Sequence, residues 1–198
     1  MPEPSDRTEP PDIELVSAAR SGDMEAYEEL VHRHRDKIYA RAFSMVRNEE
    51  QALDLSQEAW IKAWQRLHQF HGDSSFATWI TRITINLSLD FLRKAKRQRA
   101  ESVEALEESS GGVERQLPVI NPNPTARLER AELRSKIDMA LNKLSEDHRT
   151  VLVLHEFEEL PYKEIAERVG CSIGTVMSRL FYARRRMATA LRELMREG

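Results

Sequence analysis

A chain of 198 residues has room for one domain or two small ones. Few glycines, with Glu, Arg, Ala and Leu abundant, favour helices, while the single cysteine, Cys171, excludes an internal disulfide and a cysteine-based zinc cluster. The net charge of −3 hides segregation: residues 91–99 carry +5, residues 100–124 carry −4 and residues 172–187 carry +4, two basic patches separated by an acidic stretch.

In chain order, residues 1–11 hold four prolines and no periodic pattern, which predicts a disordered tail. The tail is acidic and lacks the apolar core of a signal peptide, so a reducing, cytoplasmic setting is expected. Helical periodicity starts at Asp12, with Ser21–Gly22–Asp23 as a break and cap. Tyr27, Leu30, Val31, His34, Ile38, Ala42 and Val46 then recur at three- and four-residue steps. A further helix is predicted from Asn48 or Glu49 to about Phe70. Its apolar stripe is Trp60, Ala63, Trp64 and Leu67, and Asp54, Gln57 and Glu58 lie elsewhere on it. "HGDSS" (71–75) reads as a loop. Residues 76–98 read as a long helix, apolar on more than one side through Trp79, Ile80, Ile83, Leu87, Phe91 and Leu92, and therefore central. It ends in the first basic patch. Residues 100–127 contain a Gly-Gly pair and Pro118, Pro122 and Pro124, and read as a linker.

Helical pattern resumes from residue 128. Ser145 is placed to cap a helix whose first turn carries Glu146 and Asp147, which suits the helix dipole. Pro161 opens the next helix, Gly170 closes it, and Ser172 caps a last helix running to about Met195. "YKEIAERVGCSIGTVMSRLFYARRRM" (162–187) is thus a short helix, a turn with glycine and a longer basic helix, the outline of a helix-turn-helix. Ile165, Val169, Val176 and Leu180 would form the core beneath it, with Ala166 small enough for close approach. Thr175, Ser178, Arg179, Tyr182, Arg185 and Arg186 would face outward, towards a major groove and its phosphates. On its own, the same pattern also fits a basic amphipathic helix packed on its domain. A membrane-surface helix fits less well, because the preceding glutamates would repel an anionic surface, and no apolar run has membrane-spanning length.

Enzyme signatures are missing: there is no H-E-x-x-H, no G-x-x-x-x-G-K-[ST] and no G-x-G-x-x-G. His32 and His34 point to different sides of a helix. His68 and His71 could meet near Asp73, but are read as ordinary exposed histidines. No metal, cofactor or catalytic residue is expected.

The segment "LPYKEIAERVGCSIGTVMSRLFYARRRM" resembles the C-terminal DNA-binding domain of bacterial RNA polymerase sigma factors, and its "GTVxSRL" and "EIA" elements are closest to the extracytoplasmic-function (ECF) group. The N-terminal half resembles the same family: "DLSQEAWIKAW" (54–64) is similar to the helix that docks on the polymerase β′ clamp coiled coil, and "FATWITRITINLSLDFLRK" (76–94) to the helix that engages the −10 element. The resemblance implies an all-α fold of two small helical domains joined by a flexible linker. The expected divisions are a tail over 1–11, a region 2 domain over 12–99, an acidic linker over 100–127 and a region 4 domain over 128–198. It implies core polymerase (β′ clamp coiled coil and β subunit), promoter DNA and an anti-sigma factor as partners, with no membrane insertion. Asp54, Gln57 and Glu58 would bind core polymerase. A pocket for an unpaired −10 base would use Phe70, Asp73, Ser74 and Asn86, with Arg82, Arg93, Lys94, Lys96 and Arg97 on phosphates. Phe76 and Trp79 are read as core from their spacing. His155, Gly174, Thr175, Met177, Ser178, Arg179, Phe181, Tyr182 and Arg185 would meet the −35 element. Met177, Tyr182 and His155 depart from the basic residues many relatives carry, which should change base preference. The acidic linker would thread polymerase channels as a mimic of a nucleic-acid backbone, or serve as a plain tether.

Two other readings compete: a helix-turn-helix regulator that does not act as a sigma subunit, and an adaptor or inhibitor whose basic helices bind acidic partners. Salt-sensitive promoter binding that requires polymerase separates the first reading from both.

Overall fold

The computed structural model describes residues 10–101 and 124–196, and within them the side chains of 10–99 and 132–196. Most of the expected tail and acidic linker lies outside the described residues. At the linker's edges, one helix extends to Glu101 and the next begins at Pro124, both inside the expected 100–127 span. Pro124 suits a helix start, since proline lacks the N–H that a first turn leaves unbonded.

The described residues form eight α-helices and one 3-10 turn, with no strand among them. The first domain contains α1 (Asp12–Arg20), α2 (Met24–Val46), α3 (Glu49–Gln65), the 3-10 turn Leu67–Gln69 and α4 (Phe76–Glu101). The second contains α5 (Pro124–Asn142), α6 (Glu146–Glu156), α7 (Tyr162–Val169) and α8 (Ile173–Leu194). No described helix is long and apolar enough to cross a membrane.

Side chains satisfy the first-turn N–H groups of several helices. Asp23 accepts from the Glu25 and Ala26 amides at 3.0 and 3.1 Å, Asn48 from Gln51 at 3.0 Å, Ser75 from Thr78 at 3.1 Å and Ser172 from Thr175 at 3.0 Å. Ser145 precedes α6 as expected, but its side chain does not cap the helix: its hydroxyl pairs with His148 Nδ1 at 2.8 Å. Gly170 closes α7 at φ 72°, where glycine carries no Cβ penalty.

In the first domain, alanines at 42, 52, 59 and 63 are wholly buried and let α2 and α3 approach closely around Leu30, Ile38 and Met45. α4 crosses this pair as the central helix. Its deepest residues are Phe76, Ile80, Thr84, Ile85 and Ser88, while Trp79, Ile83 and Phe91 are only half-buried. Two of the deepest are hydroxyl residues. Each returns its proton to a carbonyl four residues back, Thr84 to Ile80 and Ser88 to Thr84, both at 2.9 Å, so no donor is stranded. In the second domain Ile165, Val176 and Leu180 pack beneath the α7–α8 turn, with Leu141, Val151, Val153 and Leu154 behind them.

α2 also packs against α6, joining the two domains. The buried Arg149 donates to the Met45 carbonyl at 3.2 Å, and burial, with Arg47 nearby, pushes its guanidinium down to about 10. Arg47, at φ 55° just past α2, donates to the Asp138 carboxylate at 3.0 Å and the Asp138 carbonyl at 2.8 Å. Arg41 meets Glu158 at 2.6 Å, though the approach lacks hydrogen-bond alignment.

Candidate functional site

Three surfaces emerge. The first is on α3. Ala52, Leu55, Ala59 and Ala63 bury one side of the helix, which leaves Asp54, Gln57 and Glu58 exposed on the other. Glu58 is tied to Lys62 at 2.8 Å. Leu53 and Ile61 are 50% and 58% exposed beside them, two apolar side chains that the sequence reading passed over. Their positions, one before Asp54 and three after Glu58, were the available signal. Of the expected apolar stripe, Ala63 and Leu67 are buried, but the two tryptophans are only partly covered. Trp60 is half-buried, its carbonyl accepting the Tyr27 hydroxyl at 2.6 Å. Trp64 remains 36% exposed with its ring 4.8 Å from that of Tyr27.

The second surface runs from the 71–75 loop along α4. Asp73 is exposed, and Ser74 is half-buried with its hydroxyl 3.4 Å from the Ser75 carbonyl. Arg82, Asn86, Arg93 and Arg97 are exposed at steps of four and seven residues, so they form one stripe along the helix; Lys94 and Lys96 are exposed beside it. Phe70 does not line this surface. It is 4% exposed, and its ring packs on Phe76 at 6.0 Å and Trp79 at 5.4 Å. Aromatic area that can reach the core is buried there, so Phe70 supports the loop from below.

The third surface is the outer face of α8. Val176, Leu180 and Ala183 point inward, which leaves Gly174, Met177, Ser178, Phe181, Tyr182 and Arg185 exposed. Met177, Phe181 and Tyr182 are 54%, 60% and 52% exposed, giving the helix an apolar edge among its arginines. Thr175 is half-buried, its hydroxyl 2.8 Å from that of the cap residue Ser172. Two expected DNA contacts are otherwise engaged. His155 Nδ1 lies 3.1 Å from the Leu160 carbonyl and its ring 5.0 Å from Tyr162, bracing the turn between α6 and α7. Arg179 is held at 2.6 Å by Asp147. Burial lowers the pKa of the neighbouring His148 imidazole, reinforced by Arg186 and Arg179 and opposed by Asp147.

Glu146 and Asp147 are the residues whose importance the sequence did not reveal. Besides Arg179, Asp147 meets Lys96 at 3.3 Å, and Glu146 meets Arg99 at 3.2 Å. Their partners are 32 to 51 residues away, and nothing in the local pattern of α6 points to them.

Residues 30–98 match the sigma-70 region 2 family, and residues 134–187 match sigma-70 region 4. The chain is 36% identical over 192 residues to the RNA polymerase sigma-H factor of Pseudomonas aeruginosa, covering 96% of this chain and 99% of that protein. It is 33% identical over 186 residues to the ECF RNA polymerase sigma-E factor of Escherichia coli K12, covering 92% and 95% respectively. Among solved structures, it resembles the sigma factor RpoE from Bartonella quintana, solved in complex with the anti-sigma factor NepR. The TM-score is 0.53 at 26% identity, over 84% of this chain and 96% of that one. With both regions in order and relatives matched nearly end to end, the chain belongs to the sigma-70 family of RNA polymerase sigma factors, in its extracytoplasmic-function group.

Proposed function

We propose that the chain directs promoter-specific initiation through these three surfaces. The α3 face, with Asp54, Gln57 and Glu58 flanked by Leu53 and Ile61, docks on core polymerase. Carboxylates and an amide on a rigid helix suit an arginine-rich partner, and the apolar pair supplies area that desolvates on contact. Asp73, Ser74 and Asn86 hold an unpaired −10 base, while Arg82, Arg93, Lys94, Lys96 and Arg97 take its flanking phosphates. Gly174, Thr175, Met177, Ser178, Arg179, Phe181, Tyr182 and Arg185 meet the −35 element, with α8 in the major groove. Phe70 and His155 support these surfaces from within.

The observation that carries this reading is the α3 face. Leu53 and Ile61 are 50% and 58% exposed on either side of an acidic and amide cluster. A DNA regulator needs no such face, whereas a subunit that joins polymerase does. The protein acts as a binding and specificity subunit rather than a catalyst, and works where the polymerase works, in the cytoplasm. An anti-sigma factor is a further partner, by likeness to the Bartonella sigma factor solved with one.

The test is in vitro transcription with purified core polymerase on genomic upstream fragments. Discrete starts that appear only with the protein support the proposal, and their sequences give both promoter elements. No new starts from folded protein that also fails to bind core would remove it.

A further inference from the structure

The loop proposed to hold an unpaired −10 base has little of its own to fix it. Among the described residues, 71–74 make no backbone–backbone hydrogen bond, and Gly72 stands at φ 83°, so the loop takes its shape from what flanks it. Its far end is set by Ser75, whose hydroxyl accepts the Thr78 amide proton at 3.1 Å at the start of α4. Its near end is Phe70, whose ring is buried against Phe76 and Trp79.

A second element holds the same end. The Arg20 guanidinium donates to the Phe70 carbonyl at 3.4 Å and to the His68 carbonyl at 3.3 Å, across 50 and 48 residues of sequence. Arg20 is the last residue of α1. At the other end of that helix, Ile13 is 57% exposed, and a Cβ built on Gly72 would lie 3.9 Å from its Cδ1. Both ends of α1 therefore meet the loop or its approach. The helix is itself anchored. Leu15, Val16 and Ala19 are buried, and the Asp12 carboxylate lies 2.7 Å from His34 and 3.4 Å from Arg33, both on α2. A helix of nine residues has little stability alone, so these contacts make it part of the domain.

We infer that α1 is a strut for the base-holding loop and that Arg20 is its positioning residue, an inference that rests on the −10 reading proposed above. A planar guanidinium that spans two carbonyls fixes the direction in which the chain enters residues 71–75. A site that tells bases apart must hold its groups to within about 0.5 Å. Asp73 and Ser74 follow Phe70 closely, so a swing at Phe70 moves both relative to Asn86, which α4 holds in place. Arg20 touches no base in this role and acts through the loop.

The experiment is in vitro transcription by core polymerase with the full chain, on a promoter library randomised at both elements. Wild type should prefer one base at the −10 position that the loop reads. Arg20→Ala should lower that preference about tenfold, a discrimination usual for a single base position, and leave the −35 preferences unchanged. Arg20→Lys keeps the charge but loses the planar fork, so it should lower the preference too. In the free chain, NMR order parameters of the amides of residues 72–74 should fall from the rigid range, about 0.85, to below about 0.6 in both variants, with those of α4 unaltered. Promoter binding by polymerase carrying Arg20→Ala should keep its salt dependence. A contact from Arg20 to a phosphate would instead weaken every sequence alike, cut the salt slope by about 0.7–0.9 and be restored by lysine. That pattern overturns the inference, as does an unaltered −10 preference in Arg20→Ala or a loop as ordered as in wild type. A wild type with no −10 preference is a different failure, visible before any variant is made: it removes the −10 reading itself, and the positioning role falls with it.

Discussion

Met177 gives the outer face of α8 its individual chemistry. It is 54% exposed beside Phe181, in the midst of the arginines of that face. A methionine cannot form the two parallel bonds with which arginine selects guanine, but it can pack against a thymine methyl. Met177→Arg should therefore shift one −35 position from thymine towards guanine, by roughly 1–3 kcal/mol of discrimination, as read from start-site yields on a randomised −35 library. An unchanged base profile at unchanged activity would remove Met177 from the reading surface. On α3, replacing Asp54, Gln57 and Glu58 together with alanine should weaken core binding by about tenfold or more, roughly 1.4 kcal/mol, without altering the melting curve. A folded triple variant that binds core normally contradicts the docking assignment. His148 offers a pH test. Its folded-state pKa is lowered, chiefly by burial and then by Arg186 and Arg179, so the folded chain disfavours its protonated form. Its contribution to stability is present above the ordinary histidine value of about 6.5 and is lost as pH falls from there through the lowered folded-state value. Denaturant titrations at neutral and mildly acidic pH should show a smaller loss for His148→Gln than for wild type; parallel losses would assign the acid sensitivity elsewhere.

Among the elements, the helices most readily visible in the sequence were those whose ends carry their own chemistry. Asp23, Asn48 and Ser172 accept first-turn amide protons where the sequence placed a helix start. Ser172→Ala should cost about 1 kcal/mol, and Leu180→Ala, in the core beneath the turn, about 2–5 kcal/mol. A smaller loss for Leu180 than for Ser172 in chemical denaturation would invert this account of the second domain. The α4 core was less visible. A hydrophobic count favours Trp79, Ile83 and Phe91, whereas the interior takes Thr84 and Ser88, whose hydroxyls the helix itself satisfies. Phe70 lies deeper than its place in the sequence suggests, for a related reason. A residue next to a loop looks available, but an aromatic ring goes where other rings can cover it, here Phe76 and Trp79. Helix period and capping are local properties that a sequence displays. The pairing of Lys96 or Arg179 with Asp147 depends on how two domains meet, and no periodicity encodes that.

For the whole molecule, the contacts between domains fall into two classes that respond differently to salt. The Lys96 and Arg99 side chains are 65% and 71% exposed in their pairs, whereas the Arg41–Glu158 pair is nearly covered. Raising ionic strength from about 0.1 M to 1 M shortens the Debye length from ~10 to ~3 Å. This should abolish most DNA affinity while leaving the radius of gyration nearly unchanged. Expansion in step with the loss of binding would mean that the outer pairs, not the covered Arg41–Glu158 pair, hold the domains together. Arg47 shows what such a contact between domains asks of the sequence. It ends α2 at φ 55°, a backbone conformation that glycine adopts without strain and that costs other residues on the order of 1–3 kcal/mol. A glycine there would relax the first domain and sever its link to Asp138 and Asn142. Ease of folding for one domain and obedience of the pair are thus set against each other at a single codon. A screen for thermal stability alone would set the relaxed backbone against the lost bonds to Asp138 and Asn142, whereas a screen for contact between the domains would keep the arginine.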